Sequence, residues 1–357
     1  MVQLDVVRAC NKALINKQPV TAVFVGGTSG IGEYSLRALA ALHGSGGHGL
    51  RIYLVGRNQK AADTILADCK KLCPVGDFHF VSASDLASLR EVDRVCSEIT
   101  RLIEGNANQS IAIDLLVMSQ ALFSFGSKLE RQVTTEGLDQ SLSLLYYSRM
   151  RFVTQLLPLL TASPLPGRVV SVFGPGRDTK LIQDDLPLNK PGNFNFTTLG
   201  SHAAYMTTFF FEKIAANNPG QISLSHYFPM LVITPAFKGD GVPGWFKGVY
   251  TVLSPVFRLL SVNPQECGDR VLFHTSARFP ARPPDSQTHS AMAGRVTVAT
   301  SSDGIRGGGA YRVNHDGEDV PLGKGYKTIR KDETREKVWN HTMTVFRNIE
   351  HNGHFSG

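Results

Sequence analysis

The 357-residue sequence contains no apolar run long enough to span a bilayer, which requires about 18 to 20 consecutive residues. The nearest exception, residues 244–260, is apolar with a lysine and an arginine near its ends. Such a segment is typical either of peripheral contact with a membrane surface or of a lid over an apolar substrate. The sequence therefore predicts no membrane span.

Cysteine is scarce as well. The five cysteines are an odd number, are widely spread and follow no cleavable signal sequence, so disulfide bonds are not expected and the predicted location is cytoplasmic. Cys69 and Cys73 stand four residues apart on a predicted helix, but no further pair of cysteines or histidines follows at zinc-ligand spacing. We expect no metal site.

The chain also lacks a concentrated basic segment, although its formal net charge is +7 and its isoelectric point is near 9.2. Lysine and arginine are scattered, and acidic residues lie between them nearly everywhere, so nucleic acid is not a predicted partner. A basic cleft would still favour an anionic small molecule such as a phosphorylated dinucleotide.

Strand and helix patterns alternate along most of the chain. Apolar or β-branched runs predict strands at residues 19–25, 51–55, 78–82, 111–118, 167–172 and 222–227, and helices at 33–42, 58–73, 86–104, 138–160 and 202–216. This order predicts an α/β fold with a doubly wound, Rossmann-type parallel sheet, whose ligands bind beyond the carboxyl ends of the strands.

We predict one domain with short additions at both ends. Residues 1–17 form an N-terminal lead, residues 18–285 form the Rossmann-type core with a substrate lid at about 235–260, and residues 286–357 form a C-terminal extension. The extension is predicted to contain a hairpin at residues 310–320, around the turn Asp316-Gly317, and a helix at residues 333–349.

A glycine-rich turn, GGTSGIG, joins the first strand to the first helix. Gly26, Gly30 and Gly32 have the spacing G-x-x-x-G-x-G. Glycine permits a tight turn and the close approach of a pyrophosphate, and the helix that follows directs free N–H groups and the positive end of its dipole toward that group. The turn predicts a dinucleotide site that also includes Thr28, Ser29 and Ile31.

The end of the second strand indicates which dinucleotide binds. The strand ends in Val55-Gly56-Arg57-Asn58, without the carboxylate that usually binds the adenosine ribose. The guanidinium of Arg57 suits bidentate contact with a 2′-phosphate. The predicted cofactor is therefore NADP(H), held in part by Arg57 and Asn58.

The octapeptide V-G-G-T-S-G-I-G that ends at Gly32 resembles the cofactor motif of the short-chain dehydrogenase/reductase family. Asp85-Leu86 is similar to the family's pair that touches adenine, and residues 115–121, with Ser119 and Gln120, occupy the place of its fourth-strand motif. Residues 225–234 are similar to its P-G-x-x-x-T segment, with Met230 where glycine is usual.

The resemblance extends over about residues 18–280 and is of the kind found among fungal proteins of secondary metabolism. It implies an NADP(H)-dependent oxidoreductase that assembles into a homo-oligomer, either a dimer or a tetramer.

The chain departs from the family at the proton-transfer residues, which the resemblance implies as an Asn, Ser, Tyr, Lys relay. The serine place is Gly174, and the asparagine place falls at Leu145 or Tyr146. Tyr205 fits the tyrosine place, but Phe209 replaces the lysine four residues later. An unassisted tyrosine has a pKa of about 10, so it is a poor base at neutral pH but remains a proton donor. The missing relay residues therefore affect reduction of a carbonyl less than oxidation of an alcohol.

Three functions follow from these residues. The first is NADPH-dependent reduction of a carbonyl or enone in a large apolar, polyketide- or terpenoid-like substrate, next to a group of phenylalanines: Phe209, Phe210, Phe211, Phe228, Phe237, Phe246 and Phe257. The second is a non-redox cyclase, isomerase or dehydratase. It would use Tyr205 and His202, three residues apart on one helical face, as acid and base. The third is a catalytically silent binding protein.

Overall fold

The computed structural model describes residues 1–15, 18–105, 110–121, 131–234, 261–284, 289–330 and 333–357, together with residue 248. The predicted lid at 235–260, with Phe237, Phe246 and Phe257, lies outside the described residues except for residue 248, as does most of segment 244–260. Within the described ranges, no helix combines the length and the apolar character needed to cross a membrane.

A seven-stranded parallel sheet forms the centre of the fold, as the sequence predicts. Its strands are β1 (Val20–Val25), β2 (Leu50–Gly56), β3 (Asp77–Ser82), β4 (Leu115–Met118), β5 (Gly167–Val172), β6 (Ile222–Tyr227) and β9 (Ala310–Val313). A separate antiparallel pair consists of β7 (Met292–Ala293) and β8 (Val296–Thr297). The spatial order β3-β2-β1-β4-β5-β6-β9 reverses its direction between β1 and β4. The carboxyl ends of these two strands therefore open a crevice.

Helices cover both faces of the sheet, which explains why β1, β2, β4 and β6 are buried along their whole lengths. The helices are α1 (Leu4–Ile15), α2 (Gly30–His43), α3 (Gln59–Leu72), α4 (Leu89–Glu104), α5 (Gln140–Leu142), α6 (Ser148–Thr161), α7 (Phe196–Asn217), α8 (Pro264–Leu272), α9 (Lys324–Ile329) and α10 (Thr334–Asn352). A π-helical turn (Ser143–Tyr147) joins α5 to α6, and a 3₁₀ turn (Phe273–Thr275) follows α8. One core contains α4, α6, α7 and α10, and the other contains α2, α3 and α8.

The seventh strand comes from the segment that the sequence analysis assigned to a C-terminal extension. Strand β9 lies parallel to β6, with Arg312 beside His226, and on its other side it is the first arm of the predicted hairpin. The chain does turn at Asp316-Gly317, where an antiparallel bridge joins Val313 to Asp319. The sheet therefore includes residues beyond 285. The sequence predicts the local hairpin but not the pairing with β6, because that partner of the edge strand lies far away in sequence.

Helix α7 begins six residues before its predicted start at residue 202. Asn195 caps it: the Asn195 side chain accepts hydrogen bonds from the N–H groups of Thr197 and Thr198, and the Thr198 hydroxyl accepts one from the Asn195 N–H. This capping box stabilises the first turn. Tyr205 consequently lies nine residues inside the helix, about 14 Å along its axis from Phe196.

Four histidines within the cores have pKa values below the ordinary range, and burial is the main cause in each. The pKa of His274 falls to about 3 and that of His341 to about 4. Burial also lowers the pKa of His202, and it lowers that of His226 strongly, with Arg312 and Arg149 adding to the effect. All four are therefore neutral in the folded protein at neutral pH.

We predict that the free energy of unfolding decreases as the pH falls from about 7 to about 5. Unfolded histidines bind protons near pH 6.5, whereas these folded ones remain neutral, so the unfolded state binds more protons in this window. The contribution of these neutral histidines to the free energy of unfolding is fully present above pH 6.5. It is lost as the pH falls toward their pKa values in the folded protein. Urea titrations across the window test this.

The slope should be smaller in His274→Asn and unchanged when exposed His48 is replaced by asparagine. An unfolding free energy that stays constant from pH 7 to pH 5 would contradict the prediction.

Candidate functional site

A cleft of about 230 Å³ lies at the carboxyl ends of β1, β2, β3 and β4. Its lining brings together ten of the twelve predicted cofactor residues: Gly26, Thr28, Ser29, Gly30, Ile31, Arg57, Asp85, Leu86, Ser119 and Gln120. The other two lie just behind it. Gly32 belongs to the first turn of α2, and the Asn58 side chain caps α3 by accepting the Ala61 N–H at 3.0 Å.

Each glycine of the turn occupies a place where a side chain would not fit. Gly26 and Gly30 have left-handed backbones, with φ of +77° and +59°. A Cβ on Gly26 would lie 2.7 Å from the Gln120 nitrogen, one on Gly30 would lie 2.8 Å from Thr234 Cγ2, and one on Gly32 would lie 2.6 Å from Ser119 Oγ. The turn therefore packs tightly against the ends of β4 and the segment after β6.

The start of α2 suits an anion. Ser29 is the N-cap residue, but its side chain makes no capping hydrogen bond, so it satisfies none of the first N–H groups of the helix. Free N–H groups at a helix N-terminus, together with the helix dipole, bind phosphate groups. The residues present thus fit a dinucleotide pyrophosphate.

The two ends of the cleft differ in character. At one end, beside β2, Arg57 is exposed and makes no ion pair with another described residue. At the same end Asp85 accepts the Ala87 N–H at 2.9 Å and shapes the turn after β3. At the other end Ser119 Oγ lies 3.2 Å and 3.3 Å from the carbonyl oxygens of Val25 and Gly26.

Met230, at the place of the family's glycine, keeps a glycine-like backbone with φ of +62°. A left-handed conformation in a residue other than glycine costs about 1 kcal/mol or more. The segment after β6 therefore retains the shape that brings Thr234 against Gly30, despite the loss of the glycine.

A cavity of about 610 Å³ lies at the opposite edge of the sheet, near Asp114 and Arg168 at the amino ends of β4 and β5. Ligands of doubly wound sheets bind at the carboxyl ends of the strands. We therefore assign the functional site to the smaller cleft, where the predicted residues converge.

His202 does not line the cleft, and both of its ring nitrogens are engaged. Its Nε2 accepts the Ile182 N–H at 3.0 Å, and its Nδ1 lies 3.1 Å from the Leu186 carbonyl oxygen, a contact that requires Nδ1 to carry the proton. The ring is fully buried, and burial lowers its pKa. This arrangement is typical of a residue that fixes a loop, and it argues against the predicted role as proton donor or relay.

Tyr205 is also buried outside the cleft. Its ring centroid lies 4.5 Å from that of Tyr326 and 6.4 Å from that of Phe209. A Cβ on Gly325 of α9 would lie 2.7 Å from the Tyr205 hydroxyl, so α9 covers that group. Burial is the main cause that raises the pKa of the phenol, and nearby Asp178 adds to the increase. Tyr205 is thus a neutral O–H donor.

The other places of the family's relay have the following neighbours. The Gly174 N–H donates to His226 Nε2 at 3.2 Å, and the Phe209 ring lies 5.4 Å from the guanidinium of Arg330. Leu145 and Tyr146 both lie in the π-helical turn.

Arg149 is a residue near the site that the sequence analysis missed. It lies two residues after the π-helical turn, and its fully buried guanidinium donates to the carbonyl oxygen of Gln120 at 2.7 Å. The detectable signal was a pair of arginines in an otherwise apolar helical segment, LLYYSRMRFV. Only tertiary structure shows that Arg149 reaches the carboxyl ends of β4 and β5.

No protein-family model matches the chain. Two fungal proteins are similar along their whole lengths. The short-chain dehydrogenase/reductase SAT2 of Stachybotrys chartarum is 35% identical over 98% of this chain and 98% of its own. The oxidoreductase AN1596 of Emericella nidulans is 36% identical over 98% of this chain and 100% of its own.

Among solved structures, the NADPH-bound carbonyl reductase from chicken fatty liver has a similar fold, with a TM-score of 0.54. The match covers 85% of this chain and all of the reductase, at 13% sequence identity. At that identity the likeness concerns the fold alone.

We predict that Gly30→Ala lowers the affinity for NADPH by about tenfold or more, because the methyl group meets Thr234 and the left-handed backbone becomes strained. Isothermal titration calorimetry measures the affinity. Gly220→Ala is the matched control, since Gly220 has φ of +77° but open space around its missing Cβ, far from the cleft. Equal affinities in Gly30→Ala and the wild type would contradict the assignment of the turn.

Proposed function

The chain belongs to the short-chain dehydrogenase/reductase family, and on this premise we propose that it is an NADP(H)-dependent oxidoreductase. The observation that carries the proposal is the cleft, in which the left-handed glycines, the start of α2 and Arg57 lie together. The names of both fungal relatives describe them as an oxidoreductase or a dehydrogenase/reductase, and the carbonyl reductase of similar fold is described with NADPH bound.

In this proposal each part of the cleft binds one part of the cofactor. The N–H groups at the start of α2 bind the pyrophosphate, Arg57 binds the 2′-phosphate, and Asp85-Leu86 lies beside the adenine. Bound NADPH supplies the hydride for reduction of a carbonyl or enone. The protein orients the cofactor and donates a proton to the oxygen on which negative charge develops.

We propose Tyr205 as that proton donor. Its side chain makes no hydrogen bond to another described residue, whereas both nitrogens of His202 are engaged. A neutral phenol suits donation in the reductive direction, and burial keeps it neutral. Because α9 covers the hydroxyl, substrate reaches it only when α9 shifts. The non-redox alternative needs both Tyr205 and His202, so the engagement of His202 weakens it.

The proposed substrate is a large apolar carbonyl or enone compound of fungal secondary metabolism. The two relatives that match along their whole lengths are fungal, which agrees with a fungal setting. Fewer phenylalanines are free to line an apolar substrate pocket than the sequence predicts, because Phe209, Phe210 and Phe211 of α7 belong to the hydrophobic core. Phe228, directly after β6, is partly exposed and remains available to such a substrate.

We also propose a cytoplasmic location, since all five cysteines are free thiols and four of them are buried. Assembly into a homo-oligomer stays a prediction from the family resemblance.

If Arg57 binds the 2′-phosphate, Arg57→Ala should weaken NADPH binding by about tenfold or more. NADH binding should stay nearly unchanged, because only NADPH carries that phosphate. Calorimetric titration with both cofactors measures this difference. Arg90→Ala, a change at a second arginine that does not line the cleft, should alter neither affinity. Equal losses for NADPH and NADH in Arg57→Ala would refute the assignment.

Tyr205→Phe should lower kcat by about 100-fold or more and leave the affinity for NADPH unchanged, because Tyr205 lies outside the cofactor cleft. Transfer of deuterium from labelled NADPH to an enone or ketone substrate, followed by mass spectrometry, measures the turnover. Tyr326→Phe removes a hydroxyl from the neighbouring ring and should retain activity. Undiminished turnover in Tyr205→Phe would exclude this residue as the donor.

A further inference from the structure

Arg149 is a buried cation at the point where the order of the sheet reverses. Its Nη2 donates to the Gln120 carbonyl oxygen at 2.7 Å, and its Nη1 donates to the Val172 carbonyl oxygen at 2.8 Å and to Ser171 Oγ at 2.9 Å. Its Nε donates to the Leu144 carbonyl oxygen, five residues earlier, at 3.2 Å. The side chain thus joins α6, the residue pair after β4 and the end of β5.

The guanidinium has no carboxylate partner among the described residues. Its acceptors are three backbone carbonyls and one hydroxyl, all of them neutral. Burial lowers the pKa of Arg149 to about 9, which still leaves it protonated at neutral pH. By contrast Arg151, two residues later, is paired with Asp93 at 2.6 Å. Arg149 therefore contributes an uncompensated positive charge to the protein interior.

This charge lies directly behind one wall of the cleft. Gln120 lines the cleft, and its backbone nitrogen lies close enough to Gly26 to exclude a side chain there. Arg57, which we assign to the adenosine phosphate, lies on the β2 side of the glycine turn, whereas Gln120 lies on the β4 side. In a doubly wound sheet the two halves of a dinucleotide occupy opposite sides of this reversal. The charge is therefore on the nicotinamide side.

We propose that Arg149 makes the reduced cofactor the tighter ligand of this cleft. This inference rests on the proposed function and specifies it further. The oxidised nicotinamide ring carries a positive charge, and the reduced ring carries none. A fixed positive charge behind the wall repels the oxidised ring and leaves the reduced ring unaffected. The same residue would thereby favour capture of NADPH and release of NADP⁺ during turnover.

A purely structural clamp makes a different prediction. If Arg149 only held the ends of β4 and β5 together, its removal would weaken NADPH and NADP⁺ to the same extent, since both cofactors share the pyrophosphate and adenosine contacts. An electrostatic role changes the ratio of the two affinities. The ratio therefore separates the two explanations without reference to catalytic rate.

The test is calorimetric titration of NADPH and NADP⁺ into the full-length wild type and three variants. The wild type should bind NADPH more tightly by roughly tenfold, the scale expected for charges in neighbouring layers of a protein interior. Arg149→Met should bring the ratio close to one. Arg149→Lys, which keeps the charge but loses the forked donors, should retain most of the preference. The control Arg151→Met removes an arginine from the same helix together with its ion pair and should leave the ratio unchanged.

If Arg149→Met does not fold, as judged by circular dichroism, Arg149→Gln replaces it as the neutral variant. Equal wild-type affinities for NADPH and NADP⁺, or a wild-type ratio that persists in the neutral variant, would overturn the inference. Failure of the wild type to bind either dinucleotide would instead overturn the proposed function, so the two failures are distinguishable.

Discussion

The close contact between the backbones of Gly26 and Gln120 constrains the whole site. A side chain at Gly26 would begin 2.7 Å from the Gln120 nitrogen, so the turn after β1 and the segment after β4 can approach only if residue 26 is glycine. This approach closes one wall of the cleft and brings Gln120 within reach of Arg149 on the other side. The same contact therefore links the phosphate-binding turn to a buried positive charge.

The phosphate-binding half of the site could be predicted from the sequence because its determinants are local. A strand, a glycine turn and a helix follow one another between Val20 and His43, and the backbone geometry of that unit decides which group it binds. Arg57 could be assigned for the same reason, since it directly follows β2. The parallel sheet was predictable from the alternation of buried strands and helices.

The remaining features depend on contacts between distant residues. His202 and Tyr205 share a helix, but the backbone of residues 182 and 186 determines that His202 is engaged, and α9, more than 100 residues later, determines that Tyr205 is covered. The pairing of β9 with β6 was missed because β6 precedes β9 by more than 80 residues. Arg149 was missed because a sequence shows an arginine in a helix but not the carbonyl oxygens around it.

Buried ion pairs explain why the chain after residue 285 belongs to the fold. Arg312 of β9 pairs with Asp178 at 2.9 Å, with both side chains only 2% exposed, and its guanidinium lies 4.8 Å from the ring centroid of Tyr326. Arg330, just after α9, pairs with the fully buried Glu212 of α7. Removing one partner of such a pair leaves an uncompensated buried charge, which costs about 3 to 5 kcal/mol.

These pairs hold β9 and α9 in place near Tyr205. Gly325 and Tyr326 of α9 thus lie directly against the proposed proton donor. In a typical relay a lysine beside the tyrosine supplies the positive charge, but here that place holds Phe209. Arg312 is close enough to lower the pKa of the phenol, against the larger effect of burial. The cation that acts on the phenol therefore comes from β9, and α7 contributes the phenol within an aromatic layer.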